Sequence, residues 1–237
     1  LVMEFIDGVL MADYLATKRT AEARLQAWER ANNVEPYKVA SRLMRSFYRQ
    51  LFEDNLFHGD LHPGNIMLLR DSGIALIDLG SVGNLEQRFV RGFRNTYRGF
   101  SDGNFAEGVD YHLGMLDSIP VIDIAAYRSE MVERLRAWEA RSHLDGLTAY
   151  ERSFTGGASM ALSEVMLKYR TANNWQMLRL VRSLNTMDAN INALLGNADP
   201  QRIWRKYFEQ SQRRALQRLR TQGPRLAVRS VGEVVDN

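Results

Sequence analysis

One polar segment constrains the fold of this chain more than any other feature. His58-Gly-Asp-Leu-His-Pro-Gly-Asn65 is followed by two short apolar runs, residues 66–69 and 74–77. The turn sequence Arg70-Asp-Ser-Gly73 separates the two runs, and this pattern predicts a compact β-hairpin. The second run leads directly into Asp78-Leu-Gly80. We therefore predict a helix, a polar loop, a hairpin and a strand-end aspartate in that order.

Asp60, Asn65 and Asp78 are expected to converge at one edge of this unit. Mg²⁺ prefers oxygen ligands and keeps several waters, so Asn65 and Asp78 together with phosphate oxygens could hold it. Asp60 could then orient an attacking hydroxyl or water and accept its proton. The alternative is that all three are ordinary turn and strand-end residues. The spacing along the helix, loop and hairpin favours a site for phosphoryl transfer.

The segment resembles the catalytic loop of protein kinase-like enzymes. That loop places an Asp five residues before an Asn, and an Asp-x-Gly follows after a short hairpin. The resemblance implies that Asp60 is catalytic and that Asn65 and Asp78 bind the metal, although Leu79 replaces the usual Phe. His62-Pro63 stands where ordinary protein kinases carry a Lys that steadies the transferring phosphate.

Two relatives share the His-Pro-Gly-Asn loop: the UbiB (aarF-domain, ADCK) family of atypical kinases, and the aminoglycoside or choline phosphotransferases. Three blocks of this chain are similar to UbiB-family blocks and favour the first. They are Val2-Met-Glu-Phe-Ile-Asp-Gly8, residues 57–66 and Ile77-Asp-Leu-Gly-Ser-Val-Gly83, and the helical residues 178–195 with Asp199-Pro200 add to them. The resemblance implies an enzyme that uses ATP and Mg²⁺ as a kinase or ATPase.

The first eight residues resemble the last N-lobe strand and hinge of a kinase-like fold. A strand is predicted over residues 1–6, ended by the turn pair Asp7-Gly8. The resemblance places Met3 at the gatekeeper position and the backbone of Glu4 and Ile6 against adenine. It places Met67 under the base. Because the chain begins inside an apolar run, we interpret it as a fragment cut at the edge of a strand.

The remainder is expected to be helical. The fold class predicted is mainly α: the C-lobe of a kinase-like domain with a small hairpin and a helical C-terminal extension. Helical patterns cover residues 10–18, 36–57, 85–101, 104–117, 123–141, 158–171, 174–196 and 199–221. We assign residues 1–8 to the end of the N-lobe strand and the hinge, 9–196 to the C-lobe, and 197–237 to a basic extension.

Two histidines of the loop receive different interpretations. His58 is expected to be structural, because the first His of kinase-like loops hydrogen-bonds the backbone near the Asp-x-Gly segment. His62 either contacts a phosphate or stabilises the loop beside Pro63.

The C-terminal region allows two interpretations. Residues 201–229 contain nine Lys or Arg residues and one acid, Glu209. Trp204 and Phe208 lie near one apolar helical stripe. A basic amphipathic helix of this kind can lie on an anionic membrane surface, or its stripe can pack on the C-lobe with the arginines solvated. The resemblance to the UbiB family adds weight to membrane association.

Composition excludes several classes of protein. The 237-residue chain has no cysteine, which excludes disulfides and thiolate metal sites, and its net charge is only +3. No stretch approaches the length of a membrane span, no signal peptide is visible, and basic and aromatic residues are not interleaved as in nucleic-acid binders. We expect a cytoplasmic, peripherally membrane-associated protein that does not bind nucleic acid.

The resemblance also implies a role in ubiquinone or other isoprenoid-quinone metabolism, with quinone precursors or lipid as possible partners. The alternatives are a small-molecule phosphotransferase of the aminoglycoside or choline type, and a regulator that binds ATP without turnover. No Gly-rich phosphate loop and no strand Lys with a partnering helix Glu can be found in the sequence. We therefore expect these 237 residues alone to be inactive.

Overall fold

The computed structural model describes residues 4–196 and 199–222, which are mainly helical. The helices are α1 (Met11–Thr20), α2 (Glu22–Asn32), α3 (Pro36–Arg49), α4 (Gln87–Ser101), α5 (Phe105–Leu113), α6 (Ile124–Ser142), α7 (Ala149–Arg152), α8 (Ser159–Tyr169), α9 (Trp175–Leu195) and α10 (Gln201–Gln222). The strands are β1 (Val9–Leu10), β2 (Phe57–His58), β3 (Ile66–Leu68), β4 (Ile74–Leu76) and β5 (Val82–Gly83).

The predicted hairpin is confirmed. β3 and β4 pair antiparallel with Ile66 opposite Leu76, and a short 3-10 turn, Arg70–Ser72, joins them. β1 adds to the other edge of β3, so the sheet order is β1-β3-β4. A second small ladder pairs β2 with β5 and fastens the loop before Asp60 to the segment after Asp78.

The strand predicted over residues 1–6 is wrong for its described part. Residues 4–6 are not in a strand, and pairing begins only at Val9, opposite Leu68. Gly8 lies against β3: a Cβ added there would be 2.8 Å from the carbonyl oxygen of Leu68. The pairing of β1 with β3 is thus limited to Val9 and Leu10.

Helix α3 forms as its apolar periodicity predicts, but it does not run straight to the loop. Pro36 occupies its first turn, and the residues that recur every four positions are buried. The helix then widens into a π-helical turn, Gln50–Asp54, and ends at Asn55 in a left-handed backbone conformation with φ of 48°. The Asn55 side chain bonds the backbone N–H and C=O of Leu85 and fixes this exit.

Helix α10 belongs to the same hydrophobic core as α3 and α4. Trp204 and Phe208 are buried, and Tyr207 packs its ring 5.5 Å from that of Tyr48. Arg214 pairs with Glu53 in the π-helical turn that follows α3. The apolar stripe of residues 203–208 therefore packs on the helical domain, as the second interpretation of this region holds. Residues 223–229 of the basic segment lie outside the described residues.

The other predicted helices are confirmed within a few residues of their ends. Two were not predicted: α7, which has a single turn, and α2, whose buried residue is Leu25. No helix among the described residues is long and apolar enough to cross a membrane.

Candidate functional site

His58 ties the polar loop to the strand end that precedes Asp78. Its Nδ1 accepts the backbone N–H of Asp60 at 3.2 Å, and its Nε2 lies 3.2 Å from the carbonyl oxygen of Ile77. Because Nδ1 accepts, the ring is the neutral tautomer with the proton on Nε2, which donates to Ile77. The prediction that His58 is structural is therefore confirmed.

Asn65 connects Asp60 with the hairpin. Its Nδ2 donates to the carbonyl oxygen of Asp60 at 3.0 Å, while its own carbonyl accepts the N–H of Ile77 at 2.9 Å. Asp78 follows Ile77 directly. The loop and the hairpin thus bring the three predicted site residues to the same edge of the sheet.

Asp78 has an unusual backbone conformation for an aspartate. Its φ of 59° lies in the left-handed region, and its Oδ1 accepts the N–H of Gly80 at 3.1 Å. Asp can adopt this conformation because its short polar side chain bonds the local backbone. Strained residues of this kind cluster at functional sites, and here the turn directs the chain away from the sheet at the metal-binding candidate.

The segment after Asp78 returns to the loop. The N–H of Gly59 donates to the carbonyl oxygen of Ser81 at 2.6 Å. A Cβ added at Gly59 would be 2.9 Å from that oxygen, so a larger residue would separate the two backbones. Gly59 is therefore needed to keep Asp60 beside the Asp78 turn.

Helix α9 supplies two residues to the site that the sequence did not indicate. Nη2 of Arg182 lies 3.1 Å from Oδ1 of Asp60, in an ion pair whose carboxylate side is about one quarter exposed. Nδ2 of Asn190 donates to the carbonyl oxygen of Leu61 at 2.6 Å. The one signal available was that both lie in the block of residues 178–195, which resembles the UbiB family.

His62 stabilises the loop. Its Nδ1 accepts the N–H of Gly64 at 2.9 Å and so caps the 3-10 turn Pro63–Asn65. The ring is exposed at the surface. Of the two interpretations given to His62, this geometry supports stabilisation beside Pro63.

Asn65 and Asp78 form a donor set that fits Mg²⁺. Because Nδ2 of Asn65 is engaged by Asp60, its Oδ1 is the atom available to a metal. An amide oxygen and a carboxylate leave several positions for waters and phosphates, as Mg²⁺ requires. No group of three or more His, Cys, Asp or Glu residues in the described part of the chain could hold a metal by itself. Any metal here would depend on the ligands that a nucleotide brings.

Of the residues assigned to adenine, one lies in a strand of the small sheet. Met67, in the middle of β3, pairs with Leu10 and is partly buried. Glu4 and Ile6 lie in the segment without regular secondary structure that precedes β1, and Met3 lies outside the described residues. The roles of these four residues stay predictions.

Comparison with known proteins finds atypical kinases among the relatives of this chain. Residues 1–112 match the ABC1 atypical kinase-like domain. The chloroplastic protein ACTIVITY OF BC1 COMPLEX KINASE 1 of Arabidopsis thaliana is 41% identical over 88 residues, which are 37% of this chain and 11% of that protein. The probable protein kinase UbiB of Edwardsiella ictaluri is 31% identical over 117 residues, 48% of this chain and 19% of that protein.

Two further proteins are similar. The uncharacterised protein slr0889 of Synechocystis is 36% identical over 88 residues, 37% of this chain and 20% of that protein. The solved complex of Rv3197 with erythromycin from Mycobacterium tuberculosis covers 81% of this chain and 44% of that one, at 20% identity and a TM-score of 0.42. The match spans a fifth or less of each of the three sequence relatives. Over residues 1–112, nearly half of its length, the chain is similar to the UbiB (aarF-domain) family of atypical kinases, and its mainly helical domain is kinase-like in fold.

Proposed function

We propose that the protein is an ATP- and Mg²⁺-dependent phosphotransferase or ATPase of the UbiB type. The observation that carries this proposal is the hydrogen-bonded chain His58–Asp60–Asn65–Ile77, which brings two carboxylates and one amide to one edge. This donor set matches the needs of phosphoryl transfer, in which positioning and charge stabilisation do most of the work.

Asp60 would orient the acceptor hydroxyl or water and accept its proton. Its backbone N–H and carbonyl are held by His58 and Asn65, so the backbone position from which its carboxylate extends is fixed. Asn65 and Asp78 would hold Mg²⁺, which neutralises charge on the phosphates when bound. Glu4 and Ile6 would meet adenine through their backbone, Met67 would lie under the base, and Met3 would take the gatekeeper position.

Arg182 offers a cation where the loop itself lacks one. The catalytic loop carries His62-Pro63 in place of a phosphate-steadying Lys, and His62 is engaged with Gly64. The guanidinium of Arg182 reaches Asp60 from α9, and the side chain is largely exposed. An Arg at this place can bind a phosphate oxygen through two N–H groups, and we assign it that role.

The proposal is tested by substituting the two aspartates in the whole protein. Asp78→Asn removes a charged metal ligand, so we expect it to abolish metal-dependent nucleotide binding in isothermal titration with Mg-ATP. Asp60→Asn should bind Mg-ATP and lose turnover in a phosphate-release assay. Asp145→Asn, at an exposed loop position, is the matched control and should behave as wild type. Unchanged Mg-ATP binding by Asp78→Asn would remove Asp78 from the role we assign.

A small-molecule phosphotransferase of the aminoglycoside or choline type fits the site less well. Such an enzyme needs an acidic pocket for a cationic acceptor beside Asp60. The α9 residue that contacts Asp60 is Arg182, and Arg179 lies one turn earlier on the same helix with its guanidinium over the ring of Trp175. A basic edge favours an anionic or neutral acceptor. A non-catalytic ATP-binding regulator is the other alternative, and absence of turnover in the whole protein would favour it.

The acceptor and the setting are carried over from the family resemblance. We propose an isoprenoid-quinone precursor or a lipid as acceptor and a peripheral, cytoplasmic association with a membrane. We also propose that the 237 residues alone are inactive. Phosphate transfer to quinone-like phenols and to lipid headgroups, assayed side by side, distinguishes these acceptors. ATP hydrolysis by the 237-residue chain at the rate of the whole protein would contradict its inactivity.

A further inference from the structure

The carbonyl group of Leu61, the residue after Asp60, is held by a side chain from a helix distant in sequence. Leu61 is fully buried, and its carbonyl oxygen accepts a hydrogen bond of 2.6 Å from Nδ2 of Asn190. Asn190 is only 2% exposed and lies 129 residues further along the chain. We propose that Asn190 is a positioning residue: it fixes the peptide between Leu61 and His62, the second peptide after Asp60 Cα, and thereby sets the backbone position from which the Asp60 carboxylate extends. This inference rests on the function proposed above.

Three side chains hold the backbone around Asp60, and they differ in what they connect. His58 binds the N–H of Asp60 and Asn65 binds its carbonyl, and both are also hydrogen-bonded to Ile77 at the end of the hairpin. Asn190 belongs to α9, whose neighbouring residues Met187 and Ile191 are buried in the core. Asn190 therefore fixes the position of the loop relative to the helical domain.

The same helix also fixes the Asp60 side chain. Arg182 lies eight residues before Asn190, about 12 Å along the helix axis at 1.5 Å per residue. Arg182, at one end of this span, contacts the Asp60 carboxylate, and Asn190, at the other end, contacts the carbonyl oxygen of Leu61. A tilt of the loop about either contact would lengthen the other contact. The two contacts together therefore define both the position and the direction of the Asp60 side chain.

A purely structural role would have a different signature. A buried asparagine that only satisfies a carbonyl contributes to stability, and its loss leaves an unpaired buried acceptor. A positioning residue affects the chemical step while the enzyme stays folded, since a displacement of about 1 Å at a reacting group can reduce the rate by about 100-fold. The measurement must therefore separate turnover from folding and from nucleotide affinity.

The test compares Asn190→Ala and Asn190→Asp with the control Asn185→Ala, an exposed asparagine of the same helix. In the whole protein, both Asn190 variants should reduce kcat for ATP turnover by at least about tenfold. Their dissociation constant for Mg-ATP should stay within twofold of wild type. Hydrogen exchange should accelerate at the amides of residues 59–62. The control should match wild type in all three measurements.

Two results would overturn the inference. One is unchanged kcat and unchanged exchange at residues 59–62 in either Asn190 variant. The other is a fall in turnover that matches the fraction of unfolded protein, measured by circular dichroism for each Asn190 variant. Asp60→Asn separates this failure from that of the proposed function. If Asp60→Asn keeps full turnover, the proposed function fails. If it is inactive while the Asn190 variants are normal, only the present inference fails.

Discussion

At the scale of single residues, Asp60 is surrounded by groups of two origins. His58 and Asn65 come from its own loop, and their spacing from Asp60 is visible in the sequence. Arg182 comes from α9, and its contact with Asp60 depends on how a helix far along the chain packs. Local spacing could therefore predict that Asp60, Asn65 and Asp78 lie at one edge. It could not predict the cation, because no periodicity links residues so far apart.

Arg182 should matter for turnover more than for nucleotide affinity. Removing a preorganised charge that faces developing negative charge typically reduces kcat by about 100-fold or more. We expect Arg182→Ala in the whole protein to show a loss of this size in a steady-state ATPase assay, with the dissociation constant for Mg-ATP little changed.

Arg179→Ala is the matched control for this substitution. Arg179 lies one turn away on α9 and contacts the ring of Trp175. It should leave kcat near the wild-type value. Equal losses in the two variants would indicate a general effect of surface charge, and the specific role of Arg182 would then be wrong.

At the scale of elements, periodicity predicted the long helices well and the irregular turns poorly. Helices α4 to α6 and α8 to α10 carry apolar residues in repeating positions, and their ends fall near the predicted ones. Helix α2 was missed because its exposed, charged sequence buries little beyond Leu25. The π-helical turn Gln50–Asp54 has no local signature, since its residues would equally well continue an α-helix.

Helix α10 provides a test of the two interpretations of the basic C-terminal region. Trp204 is 2% exposed in the core, whereas Leu216 on the same helix is 57% exposed. We expect Trp204→Ala to lower the free energy of unfolding by about 3–5 kcal/mol in urea denaturation, because it leaves a large cavity. Leu216→Ala should change it by less than about 0.5 kcal/mol.

The same pair of variants addresses membrane binding through α10. If Trp204 inserted into lipid, Trp204→Ala would weaken liposome co-sedimentation and spare the free energy of unfolding. That result would contradict the packing of α10 described above.

At the scale of the whole molecule, two buried groups act in opposite directions on the pH dependence of stability. Burial raises the pKa of Asp188 from 3.8 to about 6, and the hydroxyl of Ser153, which donates to its carboxylate, partly offsets this. Burial lowers the pKa of His112 from 6.5 to about 4. As pH rises, the native state keeps the proton on Asp188 to a higher pH than the unfolded chain does. As pH falls, the native state protonates His112 only at a lower pH than the unfolded chain does.

The signs follow from proton uptake. Between pH 4 and 6 the unfolded chain binds fewer protons at position 188, so Asp188 makes stability fall as pH rises, by about 3 kcal/mol in total. At position 112 the unfolded chain binds more protons between pH 4 and 6.5, so His112 makes stability rise with pH by a similar amount, about 3 kcal/mol. The two contributions nearly cancel in the wild-type protein.

Substitution should expose each contribution separately. We expect Asp188→Asn to become more stable relative to wild type as pH rises from 4.5 to 6.5. His112→Gln should show the opposite trend, gaining relative to wild type as pH falls. Urea denaturation at steps of half a pH unit gives both curves. If the curves of wild type and a variant ran parallel, the pKa of the substituted group would not differ between the folded and unfolded states, and the assignment for that group would be wrong.

The π-helical turn at the end of α3 has a consequence for how related sequences should be aligned. It sets the direction in which the chain leaves the helix. Within this turn, the side-chain oxygen of Gln50 accepts the backbone N–H of His58. Each residue of an α-helix turns the chain by about 100°, so a relative shorter by one residue here would present its loop histidine on another side. A gap placed in residues 50–54 is therefore not a neutral choice in an alignment. It implies a differently oriented catalytic loop, or a second length change before residue 58 that compensates for it.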